Sequence, residues 1–282
     1  MKTCSNFEKE LKDKQEVLNY KLSNIFLDKD ILNKASNYAL TIGGKRLRPL
    51  LLVEFANLFS NNEKYVYDYA VALELIHNYS LIHDDLPSMD NDEYRRGNLT
   101  VHKKYGEDIA ILAGDNLLNK SYEIIFNSML ENSLDYKYIK AANYMAKISG
   151  QEGMIGGQIL DISNKFYSKS DILEMYIKKT CGLIKIACKV GAILGDANKD
   201  EIDLSEEFGE VLGLAFQIQD DILDYDNDKS INKVTIANYT SIEEAKKLVI
   251  EYSDRAKEIL KKLNKKTDFL EKLVDYLITR EY

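Results

Sequence analysis

Most of this chain consists of long stretches that mix apolar and charged residues, with few runs in which apolar and polar residues strictly alternate as they do in β-strands. Leu, Ile, Lys, Glu and Ala recur in blocks, and the whole sequence holds only 2 Pro and 14 Gly. Helices accommodate those block-forming residues well and are interrupted by Pro and Gly. The pattern therefore predicts an all-α protein.

Glycine-rich or polar interruptions divide the chain into segments long enough for helices of several turns. We expect breaks at residues 42–44, 60–62, 87–97, 150–157, 195–196 and 226–232. Pro49 is expected at the first position of a helix, where its missing N–H is tolerated. No Pro/Gly/Ser-rich linker separates the two halves, so we expect one domain over residues 1–282.

Two acidic clusters are embedded in this apolar helical pattern. Their members are Asp84, Asp85 and Asp90 in the first, and Asp220, Asp221 and Asp224 in the second. A carboxylate is costly to bury unless a cation compensates its charge. Mg²⁺ is usually held by one or two carboxylates together with substrate phosphates. The two clusters therefore point to phosphate chemistry.

Helix geometry places the first cluster at the end of a helix. Pro87 should end that helix near Leu86, which leaves Asp90 to be reached by the following loop. His77 lies seven residues before Asp84, on the same face and about 10 Å away along the axis at 1.5 Å per residue. His83 beside Asp84 would also suit a metal phosphohydrolase, but such a site needs more histidines than the 3 present.

The second cluster should lie within a continuous helix over residues 211–224, which contains no proline. Gln217, Asp220 and Asp224 would then share one face, with Asp221 beside them.

Basic residues form local groups near the predicted helix ends. Lys45 and Arg48 follow a Gly-Gly pair, Arg95 and Arg96 follow the first acidic cluster, and Lys179 precedes an apolar run. Cations and a helix N-terminus can together hold an anion. Separate basic groups near two acidic clusters indicate two anionic substrates.

Charge and hydropathy exclude several other classes of protein. The chain carries 38 Lys+Arg against 46 Asp+Glu, a net charge of −8, which argues against general nucleic-acid binding. No stretch approaches the roughly 18 uncharged residues of a membrane helix, and the first residues lack the apolar core of a secretory signal. Cys4, Cys181 and Cys188 are too few for a disulfide framework. We therefore expect a cytoplasmic protein without a membrane span.

Five motifs resemble those of the short-chain isoprenyl diphosphate synthases, most closely the bacterial type that makes farnesyl diphosphate. They occur in the family's order from about residue 40 to 235, and together they are long and specific. They are residues 43–49 (GGKRLRP), 76–87 (IHNYSLIHDDLP), 95–97 (RRG), 156–158 (GGQ) and 216–224 (FQIQDDILD).

The resemblance implies an all-α bundle around a central cavity, with the two acidic clusters facing each other across it, and a homodimer. It also implies about three Mg²⁺ ions per active site, bound with the substrate diphosphate. The implied metal ligands are Asp84, Asp90 and Asp220, with Asp85, Asp221 and Asp224 close by or behind them.

The resemblance further implies roles for the polar residues. The allylic diphosphate would contact Arg95, Lys179 and Lys233, and the diphosphate of isopentenyl diphosphate would contact Lys45, Arg48, His77 and Arg96. Thr180 and Gln217, together with the Lys179 region, would stabilise an allylic carbocation. The implied reaction is a head-to-tail condensation of isopentenyl diphosphate with dimethylallyl or geranyl diphosphate.

Product length in this family depends on the depth of the cavity beneath the first acidic cluster. Tyr79 lies five residues before Asp84, about 7.5 Å deeper at 1.5 Å per residue. An aromatic residue there resembles the floor of bacterial farnesyl diphosphate synthases, although helical geometry places Ser80 more directly beneath Asp84. We expect a fifteen-carbon product, and ten- or twenty-carbon products remain alternatives.

Four departures from the family pattern are visible. Leu99 stands where Pro is usual, Glu93-Tyr94 where Asp-Leu is usual, and Cys181 where Gly is usual. The loop after the second acidic cluster is shorter than in the family, which makes Lys233 the least secure assignment.

Two rival functions are compatible with an acidic motif. A class I terpene cyclase also ionises an allylic diphosphate, but it would normally have an Asn/Ser/Glu-type motif in place of the second Asp motif. It would not need Lys45, Arg48 and Arg96. A non-catalytic subunit of a heteromeric synthase is expected to have lost acids from one motif, whereas all six are present here.

Overall fold

The computed structural model describes residues 6–60, 65–163, 165–166, 168–226 and 234–279, and in this part of the chain the protein is almost entirely helical. The helices are α1 Asn6–Ser23, α2 Ile31–Thr41, α3 Leu47–Phe59, α4 Val66–Asp84, α5 Val101–Tyr105, α6 Glu107–Glu131, α7 Tyr136–Ser149, α8 Met154–Ser163, α9 Lys169–Lys179, α10 Cys181–Leu194, α11 Lys199–Leu223, α12 Ile236–Tyr239, α13 Ile242–Lys262 and α14 Asp268–Ile278. Strands β1 (Tyr94–Arg95) and β2 (Asn98–Leu99) form a short antiparallel ribbon. The prediction of an all-α fold is confirmed.

The chain divides into two compact units. Among the described residues, the first unit comprises 6–53 and 65–139, and the second comprises 54–60 and the described residues between 140 and 279. The expectation of one domain over residues 1–282 stays a prediction.

Helix α4 is the central element of the first unit and packs against α6. It is buried on nearly every face, and Leu73, Leu75 and Ile76 are fully shielded from solvent. A helix that is apolar all round is buried in this way. Gly114 allows α6 to approach closely, since a Cβ there would lie 2.1 Å from His83 Nε2.

Helix α11 packs against both α10 and α13 in the second unit. Helix α10 is almost wholly buried. Gly209 of α11 faces the α10 backbone, and a Cβ at Gly209 would lie 2.8 Å from Lys185 Cα. The close approach of these two helices therefore depends on a residue without a side chain.

Two sequence expectations about helix boundaries were wrong. Gly156 and Gly157 lie inside α8, which begins at Met154, so the break predicted at 150–157 ends earlier. Pro49 is the third residue of α3 rather than its first, which is tolerated because the N–H groups of the first turn have no partner within the helix. The break predicted at 226–232 lies almost wholly outside the described residues.

None of the helices in the described ranges is both long enough and apolar enough to cross a membrane.

Candidate active site

The first acidic cluster lies where α4 ends and the chain folds back. Asp84 is the last residue of α4 and Asp85 is its C-cap. The Leu86 N–H donates to the His83 carbonyl at 3.2 Å, and the Asp90 N–H donates to the Asp84 carbonyl at 2.9 Å. The turn therefore returns Asp90 to the end of the helix that carries Asp84. The expected helix end near Leu86 is correct to within two residues.

Asp85 is buried and paired with Arg95. Arg95 Nε donates to both carboxylate oxygens of Asp85, at 2.8 and 3.0 Å, and Arg95 Nη2 donates to Oδ1 at 2.5 Å. Such multiple charge-assisted bonds fix both side chains. Asp85 is thus the buried member of the first cluster, and Arg95 compensates its charge within the protein.

Arg96 lies against the glycine pair that precedes α3. Arg96 Nη1 donates to the Gly43 carbonyl. A Cβ at Gly44 would lie 2.7 Å from the same Nη1 atom, and Gly44 has a φ of +134°, which L side chains rarely adopt. Gly44 is therefore required both for its backbone conformation and for the space that the guanidinium occupies.

A buried ion pair anchors the chain at the start of α3, where Lys45 of the preceding loop and Arg48 of the first turn lie. Arg46 is 4% exposed, and its Nη1 donates to Glu74 Oε1 of α4 at 2.8 Å. Its Nε donates to Asn19 Oδ1 at 2.8 Å. Because Arg46 points inward, its neighbour Lys45 lies exposed.

His77 and Arg48 meet beside this loop. Arg48 Nη1 lies 3.2 Å from His77 Nε2. Since a guanidinium can only donate, Nε2 is the acceptor and the imidazole proton is on Nδ1. Burial, together with the charges of Arg48 and Arg96, lowers the pKa of His77 well below its usual 6.5, so the ring is neutral at pH 7.

The cations of the first unit create a field that favours an anion. Burial also lowers the pKa of the Arg96 guanidinium, and the charges of Arg46 and Arg95 add to that shift. A bound anion would relieve this mutual repulsion. The predicted substrate residues Arg48, His77 and Arg96 are therefore electrostatically suited to a diphosphate.

In the second unit, Lys179 at the end of α9 is paired with Asp161 of α8. The two helices approach so closely at Gly157 that a Cβ there would lie 2.2 Å from the Lys179 backbone nitrogen. The GGQ motif therefore serves to bring α8 against the end of α9.

A chain of hydrogen bonds joins Thr180 to the second acidic cluster. Thr180 Oγ1 donates to Gln217 Oε1 at 2.8 Å, and Gln217 Nε2 donates to Asp221 Oδ1 at 3.0 Å. Asp221 is buried, Asp220 is half-buried and Asp224 is exposed at the C-cap of α11. The network orients three of the predicted site residues within one unit.

Two departures from the family pattern find a local explanation. Cys181 takes the place of a glycine, and Gly213 of α11 provides the room, because a Cβ at Gly213 would lie 2.7 Å from Cys181 Sγ. Leu99, in place of a proline, pairs with Tyr94 in the β ribbon and accepts the Tyr38 hydroxyl at its carbonyl, at 2.7 Å.

The predicted floor residues Tyr79 and Ser80 lie five and four residues before Asp84 on α4. Tyr79 is 7% exposed, and its ring packs edge-on against His83 at 5.8 Å between centroids. Burial raises the pKa of Tyr79 to about 12, with Tyr122 and Asp84 adding to the shift. The Ser80 hydroxyl donates to the His77 carbonyl at 2.9 Å and is therefore turned toward its own helix backbone.

Sequence reasoning missed three polar partners at or beside the site. Asp161 pairs with Lys179, Glu74 pairs with Arg46, and Tyr176 donates to Asp221. Lys233, the remaining predicted site residue, lies outside the described residues. His83, considered for a phosphohydrolase, has its Nε2 3.1 Å from the Ile111 carbonyl and packs against α6.

The acidic residues offer a donor set that suits Mg²⁺. Asp84 and Asp90 provide carboxylate oxygens, which hard cations prefer, and Mg²⁺ commonly completes its octahedron with water and phosphate oxygens. In the described ranges, no group of three or more His, Cys, Asp or Glu side chains is arranged to hold a metal ion by itself. The donor chemistry fits an ion that arrives with a diphosphate.

Comparisons with known proteins identify the family of this chain. A family model described as polyprenyl synthetase matches residues 29–277. The chain is 35% identical to farnesyl diphosphate synthase of Bacillus subtilis, over 96% of this chain and 97% of that protein. It is also 35% identical to the chloroplastic geranylgeranyl pyrophosphate synthase of Capsicum annuum, over 98% of this chain and 79% of that protein.

Solved structures of isoprenyl diphosphate synthases also resemble this chain. The crystal structure of an FPP/GFPP synthase from Zymomonas mobilis has a TM-score of 0.89 and 31% identity, and the match covers 98% of this chain and 100% of that one. A geranyltransferase from Legionella pneumophila has a TM-score of 0.85 and 29% identity, with 96% and 95% covered. Since the family model spans most of the chain and includes both acidic clusters and the basic loop, the chain belongs to the polyprenyl synthetase family.

Proposed function

We propose that this protein is a prenyltransferase that condenses isopentenyl diphosphate with dimethylallyl or geranyl diphosphate to give farnesyl diphosphate and diphosphate. One observation carries the proposal. The adjacent residues Arg95 and Arg96 join an acidic motif to a basic loop, because Arg95 bonds Asp85 and Arg96 bonds the Gly43 carbonyl. A condensing enzyme needs both elements, one for the ionising diphosphate and one for the second substrate.

The relatives support this substrate class. Several proteins similar to this chain over most of its length are named farnesyl diphosphate synthase, and others are named geranylgeranyl pyrophosphate synthase. Burial of Tyr79 beneath Asp84 favours the shorter, fifteen-carbon product.

Isopentenyl diphosphate would be bound by Lys45, Arg48, His77 and Arg96. Arg48 and Arg96 provide fixed charge, while the neutral His77 ring accepts from Arg48 and so orients its guanidinium. Oriented donors stabilise an anion without reorganising during the reaction.

The allylic diphosphate would be bound near the acidic clusters. Asp84, Asp90 and Asp220 would hold Mg²⁺, about three ions in all, with Arg95, Lys179 and Lys233 as further cationic contacts. When bound, Mg²⁺ neutralises negative charge that develops on the departing diphosphate. Asp85, Asp221 and Asp224 would stand beside or behind the ligands, and the bonds of Asp85 to Arg95 agree with that role.

Thr180, Gln217 and the Lys179 region would stabilise the allylic cation once the C–O bond has ionised. Thr180 and Gln217 present side-chain oxygens in a fixed hydrogen bond, and Lys179 is held by Asp161. The isopentenyl double bond attacks the cation, and the released diphosphate takes the proton that is then lost. No side-chain nucleophile is required.

We also propose that the enzyme is a cytoplasmic homodimer. Helix α6 exposes Ile111, Phe126 and Leu130, and these residues lie on one face of that helix. Exposed apolar faces of this kind mark interaction surfaces. Cys181 and Cys188 are buried free thiols, which suits a reducing compartment.

The test is direct. The purified protein is incubated with isopentenyl and dimethylallyl diphosphates, with Mg²⁺ or with EDTA, and products are identified by mass spectrometry. We expect a fifteen-carbon diphosphate that depends on Mg²⁺. A ten- or twenty-carbon product would revise only the floor assignment. Cyclised hydrocarbon from farnesyl diphosphate would favour a terpene cyclase, and no turnover would favour a non-catalytic subunit.

A further inference from the structure

Tyr176 occupies a position in the second unit that the proposed reaction does not use. It lies near the end of α9 and is only 3% exposed. Its hydroxyl donates to Asp221 Oδ2 at 2.5 Å and accepts the backbone N–H of Ile236 at 3.1 Å. One phenol thus connects α9, the second acidic cluster on α11 and the first residue of α12.

Both carboxylate oxygens of Asp221 are consequently engaged. Gln217 Nε2 donates to Oδ1, and the Tyr176 hydroxyl donates to Oδ2. A carboxylate held from both sides cannot rotate about its χ2 torsion without breaking a bond. Asp221 is therefore fixed between Asp220, which precedes it, and Asp224, which follows one turn later.

We propose that Tyr176 is a positioning residue for the second acidic cluster. It ties the buried Asp221 carboxylate to α9 and to the start of α12, and this fixes the end of α11 that carries Asp220, a proposed magnesium ligand, and Asp224. Tyr176 acts through Asp221 and is not itself a proposed ligand of magnesium or of the allylic diphosphate. The proposal rests on the proposed function, because it assigns Tyr176 a role in the metal and diphosphate binding of that same site.

A second buried tyrosine allows this role to be separated from ordinary packing. Tyr144 lies in the same unit, and its hydroxyl also donates to a carboxylate, that of Glu206, which in turn bonds Lys189. Burial raises the phenol pKa of both tyrosines. The hydrogen bond to Glu206 raises the pKa of Tyr144 further, and the charge of Asp221 raises the pKa of Tyr176 further. Tyr144 belongs to neither acidic cluster, so Tyr144→Phe is a matched control for loss of a buried hydroxyl.

The experiment compares Tyr176→Phe, Tyr144→Phe and the unaltered protein. Calorimetric titration with inorganic diphosphate in the presence of MgCl₂ measures binding without turnover, and steady-state assays give KM for each substrate. Removal of a group that orients a metal ligand commonly weakens metal binding about 10–100-fold. We expect a loss of that size for Tyr176→Phe in diphosphate binding, with a raised KM for geranyl diphosphate and an unchanged KM for isopentenyl diphosphate. Tyr144→Phe should change none of these values.

A rescue experiment tests whether diphosphate binding requires the hydrogen bond that the Tyr176 side chain donates to Asp221. Replacement of Tyr176 by 4-aminophenylalanine keeps a donor at the same ring position, and it should recover most of the lost affinity. Circular dichroism and thermal unfolding check that each variant is folded. If Tyr176→Phe does not fold, the 4-aminophenylalanine variant can still be compared with the unaltered protein.

Three results would overturn the proposal: unchanged diphosphate binding in Tyr176→Phe, equal losses in both Phe variants, or no rescue. If the unaltered protein binds magnesium diphosphate and turns over while Tyr176→Phe behaves identically, only the role of Tyr176 fails. If the unaltered protein neither binds nor turns over, the proposed function fails and the role of Tyr176 fails with it.

Discussion

His77 is an uncharged imidazole among guanidinium groups, and this makes it sensitive to acid. Its pKa is lowered in the folded protein by burial and by Arg48, whereas in the unfolded chain it is about 6.5. Below pH 6.5 the unfolded chain therefore binds a proton that the folded protein does not. Stability should fall with decreasing pH there, by at most about 1.4 kcal/mol per pH unit from this group.

The variant His77→Gln should remove this part of the acid sensitivity, because glutamine does not titrate. Urea unfolding of both proteins at pH 7.5 and pH 5.5 measures the two losses of unfolding free energy. The variant is expected to lose less than the unaltered protein. Equal losses would show that His77 is not held neutral.

Asp84 tests the metal role at the level of a single carboxylate. Asp84→Ala removes a proposed ligand and no core volume, so the fold should remain while turnover falls by roughly 10²-fold or more, as when a group that stabilises transition-state charge is deleted. Product formation and circular dichroism measure the two properties. Asp203→Ala, which removes an exposed acid on α11, is the control. Normal turnover in Asp84→Ala would refute the metal role.

Tyr79 tests the floor of the cavity. Tyr79→Ala removes a large buried side chain beneath Asp84, and a deeper cavity should give products longer than fifteen carbons. Chromatography with mass spectrometry of the products provides the measurement, and Tyr136→Ala, a change at a 75% exposed tyrosine, is the control. An unchanged product distribution would remove Tyr79 from the floor.

Some of the site residues could be predicted from the sequence and others could not, for a physical reason. The six aspartates stand within or directly after apolar helical segments, where a charge needs compensation, so their importance is visible locally. Tyr176 and Asp161 act through partners that tertiary packing supplies from other helices. A lone buried tyrosine or aspartate leaves no pattern in the chain that distinguishes it from its neighbours.

At the scale of elements, the loop before α3 depends on the ion pair between Arg46 and Glu74. Arg46→Met would leave the Glu74 carboxylate buried without its cation, and such a loss costs about 3–5 kcal/mol. The double variant Arg46→Met, Glu74→Leu should recover much of that stability. Denaturant unfolding of the three proteins measures it. Equal destabilisation in the single and double variants would contradict the argument.

The presence of the helices could be predicted from the sequence, but the residues at which they begin and end could be predicted less well. Few breakers and long apolar runs suffice to predict α4 and α11. Glycine is ambiguous, because it marks turns and also positions where two backbones approach closely. The sequence pattern predicts a break at Gly157, whereas in the structure Gly157 lies within α8 and allows that helix to approach Lys179 closely.

At the scale of the whole molecule, the proposed homodimer makes α6 an interface. Phe126 is 57% exposed on the apolar face of that helix, and a charge there would be buried on association. Phe126→Glu should therefore shift the protein from twice the chain mass of 32.4 kDa to a monomer, as light scattering after gel filtration would show. Ile250→Glu, at a similarly exposed residue of α13, should stay dimeric. An unaltered protein that is already monomeric would contradict the proposal.

The arrangement of the whole molecule was the part that residue patterns could not supply. Periodicity predicts which faces of a helix are buried, but not which helices they meet. The opposition of the two acidic clusters and the homodimer came from the family resemblance, and both stay predictions.

The hydrogen-bonded turn at the end of α4 bears on the thermodynamics of binding. Fixing one residue of backbone costs about 1–2 kcal/mol of conformational entropy. The turn from Asp84 to Asp90 is ordered by its own backbone bonds, so this loss occurs when the protein folds and not when the ligand arrives. Calorimetry should accordingly show a small entropic penalty for this part of the site, and the amide of Asp90 should already exchange slowly with solvent in the free protein.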